Sequence, residues 1–130
     1  MNRFVVDTHA MFWYLISSPR LGRHARDAFA SGVNGEAILF VPAIVLAELF
    51  FLNEKVGRPL EFSEEFQKLQ QSGLFVFVPF TPQDVLDFDD HRDVSEMHDR
   101  MIVGVAHRLN ASCLTRDAQI VASKIVPTVW

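Results

Sequence analysis

The amino-acid sequence predicts an α/β fold: a parallel sheet with helices on both faces. Three observations carry the prediction. Short apolar runs such as Phe4-Val5-Val6 and Ala37 to Val41 alternate with longer stretches of helical periodicity. Turn signals stand between them, as in Ser17-Ser18-Pro19, Gly57-Arg58-Pro59 and Gly73. The first apolar run also passes directly into Asp7 and more apolar sequence, with no turn glycine, as where a buried strand gives way to a helix.

The elements follow in order. Arg3 to Val6 is strand one. Thr8 or His9 opens a helix reaching about Ile16, which Ser17-Ser18-Pro19 ends. Leu21 to Ala30 reads as a second helix, with Leu21, Ala25, Ala28 and Phe29 on one face and Arg20, Arg23, His24 and Arg26 on the other. Ala37 to Val41 is strand two, and Pro42 starts a third helix at a favoured first-turn position, running to about Val56. Ser63 caps a helix to Gln71, and Gly73 stops it. Leu74 to Val78 is strand three, and Gln83 to Phe88 a short helix after Thr81-Pro82. Asp89 to Met97 is polar and reads as an exposed loop before an apolar helix, Asp99 to Leu109. Ala111 to Leu114 is strand four, Ala118 to Ser123 a last helical turn or two, and Val126 to Val129 an edge strand.

With 130 residues, 49% of them apolar, the chain is expected to form one domain, residues 1–130, with a sizeable core. Twelve phenylalanines against one tyrosine suggest a dry interior or a buried partner surface. The net charge of −4 excludes a basic nucleic-acid coat, so a nucleic-acid substrate would need local arginines or a metal. The one cysteine, Cys113, rules out an internal disulfide framework and suits a cytoplasmic location. Asp7 inside the first apolar stretch argues against a signal peptide. The longest apolar run, Ala37 to Leu52, is broken by Pro42 and Glu48 and is too short for a membrane span.

Four carboxylates stand out. Asp7 follows a buried strand, where helix capping is the simpler role. Glu48 is the only charge between Ala37 and Leu52, with Ile44, Phe51 and Leu52 as its helical neighbours. Burying it costs several kcal/mol unless a cation is near, either a metal or an arginine. Asp99 opens an apolar helix, whose N-terminus favours negative charge, and Asp117 follows strand four. In open α/β sheets, ligands bind at the carboxyl ends of strands, where three of these acids fall. Converging carboxylates repel one another unless a cation joins them, and an all-oxygen set favours Mg²⁺ or Mn²⁺.

The ordered set Val6-Asp7-Thr8-His9-Ala10, Pro42 through Ala47-Glu48-Leu49, His98-Asp99-Arg100-Met101-Ile102-Val103 and Leu114-Thr115-Arg116-Asp117, with Val126 to Trp130 as the ending, resembles the PIN-domain family of the VapC toxin type. The resemblance covers essentially the whole chain, and most loosely Glu61 to Val94. It implies a three-layer α/β/α sandwich with a central, mainly parallel sheet of four to five strands. It implies a Mg²⁺- or Mn²⁺-dependent endoribonuclease, the toxin of a type II toxin–antitoxin pair. Asp7, Glu48, Asp99 and Asp117 match the family's acidic, metal-holding positions, and Thr115 a hydroxyl position near the metal. A homodimer and an antitoxin partner covering the active site are implied as well.

Such a site could hydrolyse RNA phosphodiesters, with Asp7 and Asp99 the most direct ligands and Thr8 or Thr115 orienting water or phosphate. Arg100 and Arg116 could contact phosphate, with pairing to a neighbouring acid the simpler expectation; Arg20, Arg23, His24 and Arg26 are a candidate RNA track. Other chemistries fit worse. His9 occupies the second acid of a haloacid-dehalogenase-type motif, and a receiver domain lacks its acid after Val78. His91, His98, His107 and Cys113 contain no close pair for zinc, and nucleophile-elbow glycines are absent. The non-enzymatic alternative is a catalytically inert PIN-like interaction module. Leu46, Leu49, Phe50 and Phe51 surround the third helix, so that helix is either buried or shared with a partner.

Overall fold

The computed structural model describes residues 1–130. Five strands, β1 (Asn2–Val6), β2 (Ala37–Pro42), β3 (Phe75–Val78), β4 (Ser112–Leu114) and β5 (Thr128–Val129), form one sheet in the order β3-β2-β1-β4-β5. Every pairing is parallel. Seven helices connect and cover the strands: α1 (Thr8–Leu15), α2 (Arg23–Val33), α3 (Ala43–Lys55), α4 (Phe62–Ser72), α5 (Pro82–Leu86), α6 (Met97–Arg108) and α7 (Ala118–Ser123). The expected three-layer α/β/α arrangement is therefore present, with a sheet of five strands.

β1 sits at the middle of the sheet because it is apolar on both faces. Val5 and Val6 are fully buried, and β-branched side chains favour the extended backbone. The chain winds outward from β1 through β2 to β3, then crosses back to place β4 on the other side of β1. The gap beyond Val6 and Leu114, paired neighbours on β1 and β4, is thus the topological switch point of the sheet. Asp7 leaves β1 there, and its backbone N–H donates to the Leu114 carbonyl at 3.1 Å. A core cluster of 25 residues packs against the sheet, among them Met11, Phe29, Val45, Leu49 and Ile102.

Several boundaries differ from the sequence reading, each for a local reason. Pro42 ends β2, paired with Val78, and occupies the N-cap of α3 rather than its first turn. α2 begins at Arg23; Leu21 is buried ahead of it, and Gly22 takes the N-cap. Glu61, not Ser63, stands at the N-cap of α4, so Ser63 lies inside the first turn. The stretch Asp89 to Met97 is mostly exposed, as expected, but it is not a plain loop. It begins with a 3-10 helix, Asp87–His91, and buries His91 and Val94. Val94 is drawn in by Val103 and Ile120, a small cluster between α6 and α7 that a polar local sequence hides. α6 starts two residues early, at Met97, with Glu96 as its cap. α3 is not wholly buried either: Phe51 is 70% exposed. No helix is long and apolar enough to cross a membrane.

Candidate active site

Asp7 performs the capping role and more. One carboxylate oxygen accepts the Thr8 backbone N–H at 2.7 Å, and the other accepts the Thr115 hydroxyl at 2.6 Å. Thr115 comes straight off β4, so the adjacency of the two central strands is what joins residues 108 positions apart. Its oxygen in turn accepts the Asp117 backbone N–H at 3.0 Å. Asp117 caps α7, accepting from the N–H groups of Gln119 and Ile120. Burial pushes the Asp7 carboxyl above the usual carboxylate range; the hydrogen bonds from Thr115 and Thr8 oppose this.

Glu48 enters from α3. Its carboxylate accepts the Thr8 hydroxyl at 2.7 Å and lies 3.2 Å from His98 Nδ1. The arginine that could have explained a charge in this apolar helix is absent; the partners are a hydroxyl and an imidazole. Asp99 enters from the first turn of α6, with its backbone N–H bonded to Glu96 at 2.7 Å, while its carboxylate accepts no hydrogen bond from the protein. Its pKa is raised to about 7, first by burial and then by the charges of Asp117, Asp7, Glu96 and Glu48. The same field reaches the core: burial chiefly, with Asp7, Asp99 and Asp117, pushes the Cys113 thiol well up.

All four predicted acids, with Thr8 and Thr115, line one cavity of about 1020 Å³. Glu96 lines it too and was not anticipated, because it lies in a polar stretch without periodicity; its position three residues ahead of Asp99 is the only signal, and glutamate is a poor cap. His98, 3.2 Å from Glu48 and 3.5 Å from Glu96, is the only base paired with an acid here. Asp7, Asp99 and Asp117 have no ion-pair partner. In chemical kind this donor set fits Mg²⁺ or Mn²⁺: crowded carboxylates, one of them free of protein donors, supply oxygen and excess negative charge. As placed, no three of the acids are arranged to share one ion; Thr115, Thr8 and the start of α7 each bond one of them.

The basic residues divide differently from expectation. Arg20 lines the cavity, but Arg23, His24 and Arg26 do not, and Arg26 donates to the Leu21 carbonyl. Arg100 pairs with no acid; it donates to the Val94 carbonyl at 2.6 Å and stacks over Phe88. Arg116, beside Asp117 in sequence, also pairs with no acid, and lies 4.5 Å above the Trp13 ring on the cavity wall. Of the histidines considered for zinc, His91 and His107 do meet, with ring centroids 5.1 Å apart, but no third ligand joins them.

The PIN domain family model matches residues 4–124. The chain belongs to the PIN-domain family. Solved structures repeat its fold at low identity. A chain of VapBC2 from Rickettsia felis, crystallised bound to a DNA fragment from its promoter, is 13% identical with a TM-score of 0.73, over 97% of this chain and 96% of that one. Mycobacterium tuberculosis VapC20, described as a sarcin–ricin loop cleaving toxin, is 12% identical with a TM-score of 0.70, over 92% and 94%. FitAcB from Neisseria gonorrhoeae is 19% identical with a TM-score of 0.68, over 96% and 95%. No curated protein sequence matches significantly.

Proposed function

We propose that this PIN domain, residues 1–130 acting as a single unit, is a Mg²⁺- or Mn²⁺-dependent endoribonuclease, the toxin of a VapBC-type toxin–antitoxin module. The observation that carries the reading is the convergence of Asp7, Glu48, Asp99 and Asp117 on one cavity at the sheet's switch point, where burial first and the neighbouring carboxylates next raise the Asp99 pKa to about 7. A fold retained for packing alone gains nothing from that repulsion, whereas a cation-binding centre requires it.

Asp7 and Asp99 would hold the ion directly, and Glu48 and Asp117 directly or through water. When bound, the ion relieves charge on the phosphate and acidifies a water, the two demands of phosphodiester hydrolysis. The chain's own contribution is positional. Thr115 fixes the Asp7 carboxylate and the start of the Asp117 turn together, and Thr8 fixes Glu48. With its hydroxyl committed to Asp7, Thr115 is a positioning residue that acts through that carboxylate. His98 completes the polar frame between Glu48 and Glu96.

The partners proposed with this activity are an RNA substrate, a cognate antitoxin and a second copy of the chain in a homodimer. Support comes from the family, from the antitoxin complexes among the structural relatives, and from exposed aromatic surface on α3 at Phe50 and Phe51. The test is cleavage of RNA by the purified chain in Mg²⁺ and in EDTA. Asp7→Ala and Asp99→Ala are expected to lower the rate by about a hundredfold or more while the fold survives. Equal cutting by parent and both variants would leave an inert interaction module as the better reading.

A further inference from the structure

Trp13 and Trp130 are the only tryptophans of the chain, and they meet beside the acid cluster. Their ring centroids are 5.6 Å apart at 70°, an edge-to-face pair. Trp13 belongs to α1 and is buried; Trp130, following β5, is half-buried. Gly22 makes room for Trp130, since a Cβ there would stand 2.5 Å from the indole. Arg116 lies across this pair, its guanidinium 4.5 Å from the Trp13 centroid and 5.7 Å from that of Trp130. It is exposed, lines the same cavity as the carboxylates, and has no acid partner. His9 also packs on Trp13, with ring centroids 5.3 Å apart and the planes tilted by 54°.

The Arg116 guanidinium shares the cavity with five acids and pairs with none of them. The indole face fixes its plane and removes much of its rotamer freedom, so little is lost when a second flat group settles on the outer side. Unpaired nucleobases are such groups, stacking on arginine planes and aromatic rings with little regard for sequence. We propose that Arg116, supported by Trp13 and Trp130, forms a nucleotide subsite at the edge of the acid cluster, on which one unpaired base of a single strand stacks. The inference rests on the nucleic-acid reading of the cavity and names where the strand next to the cleaved bond would lie. It also answers the charge problem of a −4 protein, because the cation lines the same cavity as the carboxylates that repel phosphate.

Because the two indoles are the only ones present, intrinsic fluorescence reports on this wall alone. The probe is a short single-stranded 2′-O-methyl oligoribonucleotide, titrated in Mg²⁺, with fluorescence anisotropy of an end label as an independent readout and a gel to show it intact. The parent is expected to bind it with a saturable change in tryptophan emission, and to bind the matching duplex much more weakly. Arg116→Ala and Arg116→Lys should both weaken binding about tenfold, with thermal melts unchanged. The lysine variant keeps the charge and loses the plane. Parental affinity in Arg116→Lys, equal affinity for the duplex, or anisotropy that reports binding while emission stays constant would each overturn the stacking subsite. Absence of binding to the parent would do so as well. None of these outcomes depends on cleavage, so the effect of Asp7→Ala and Asp99→Ala on cutting decides the nuclease reading separately.

Discussion

At the scale of single residues, the Asp99 carboxylate works against the fold. Asp99 is ionised in an unfolded chain from about pH 4 upward, but in the fold it resists ionisation until about 7. A raised carboxyl pKa means that the folded state binds more protons, so stability falls as pH rises through that window. Asp99→Asn is therefore expected to raise the melting temperature of the metal-free protein at pH 8, by about 3 °C or more, while removing activity. A lower melting temperature would show that the neighbouring charges do not strain the site. Thr115→Val removes the donor to Asp7, in a buried setting, and the acceptor of the Asp117 N–H, in a partly buried one. Its expected cost is about 1–3 kcal/mol in stability, with a loss of activity that added Mg²⁺ only partly restores. Asp7, Glu48, Asp99 and Asp117 were legible in the sequence because each breaks a local apolar pattern or ends a strand. Glu96, His98 and the Arg116–tryptophan stack were not. Glu96 and His98 sit in a polar stretch, where nothing local distinguishes a solvated side chain from a functional one, and the stack joins Trp13, Arg116 and Trp130 from distant parts of the chain.

At the scale of elements, close backbone approaches and buried polar clamps hold the helices that present the site. Gly32 of α2 lies against Leu39 of β2, where a Cβ would come within 2.4 Å of the leucine side chain, so Gly32→Ala should force the helix off the sheet and lower stability measurably in urea unfolding. In the last turn of α3, the buried Asn53 amide donates to the Leu60 carbonyl and accepts the Leu60 N–H, pinning the return toward α4. Asn53→Ala leaves both backbone groups unpartnered at a cost of about 2 kcal/mol or more, read from the same urea curves. The 3-10 helix Asp87–His91 docks on α6 through His91, whose Nδ1 is buried without a partner. Burial, and then the His107 charge, lower its pKa, opposed by Asp90 and Asp87. The neutral ring is thus favoured by the fold, and the stability it contributes is present above about pH 6.5 and lost as pH falls through the depressed value. Melting temperature should drop on acidification below that pH, and His91→Leu should flatten the drop; an unchanged slope would place the acid sensitivity elsewhere. The strands and main helices were readable from periodicity, but this docking was not. It depends on Val94 and His91 finding partners far along the chain on α6 and α7.

At the scale of the whole molecule, the strand order β3-β2-β1-β4-β5 is the device that assembles the site. Reversing direction after β3 brings Thr115 beside Asp7, and α3 and α6 then lean Glu48 and Asp99 over the same opening. The alternation of strand and helix in the sequence announced a parallel sheet, and the ordered motifs pointed to the family. The mutual placement of the acids follows from the crossover, which no local pattern encodes. The role proposed for this placement is that of a divalent-cation centre. Calorimetric titration of the purified chain with Mn²⁺, alongside Asp7→Ala and Asp99→Ala, tests that most directly. Saturable binding by the parent that is lost or weakened at least about tenfold in both variants is the predicted result. Equal heats in all three proteins, or none in the parent at millimolar Mn²⁺, would contradict it.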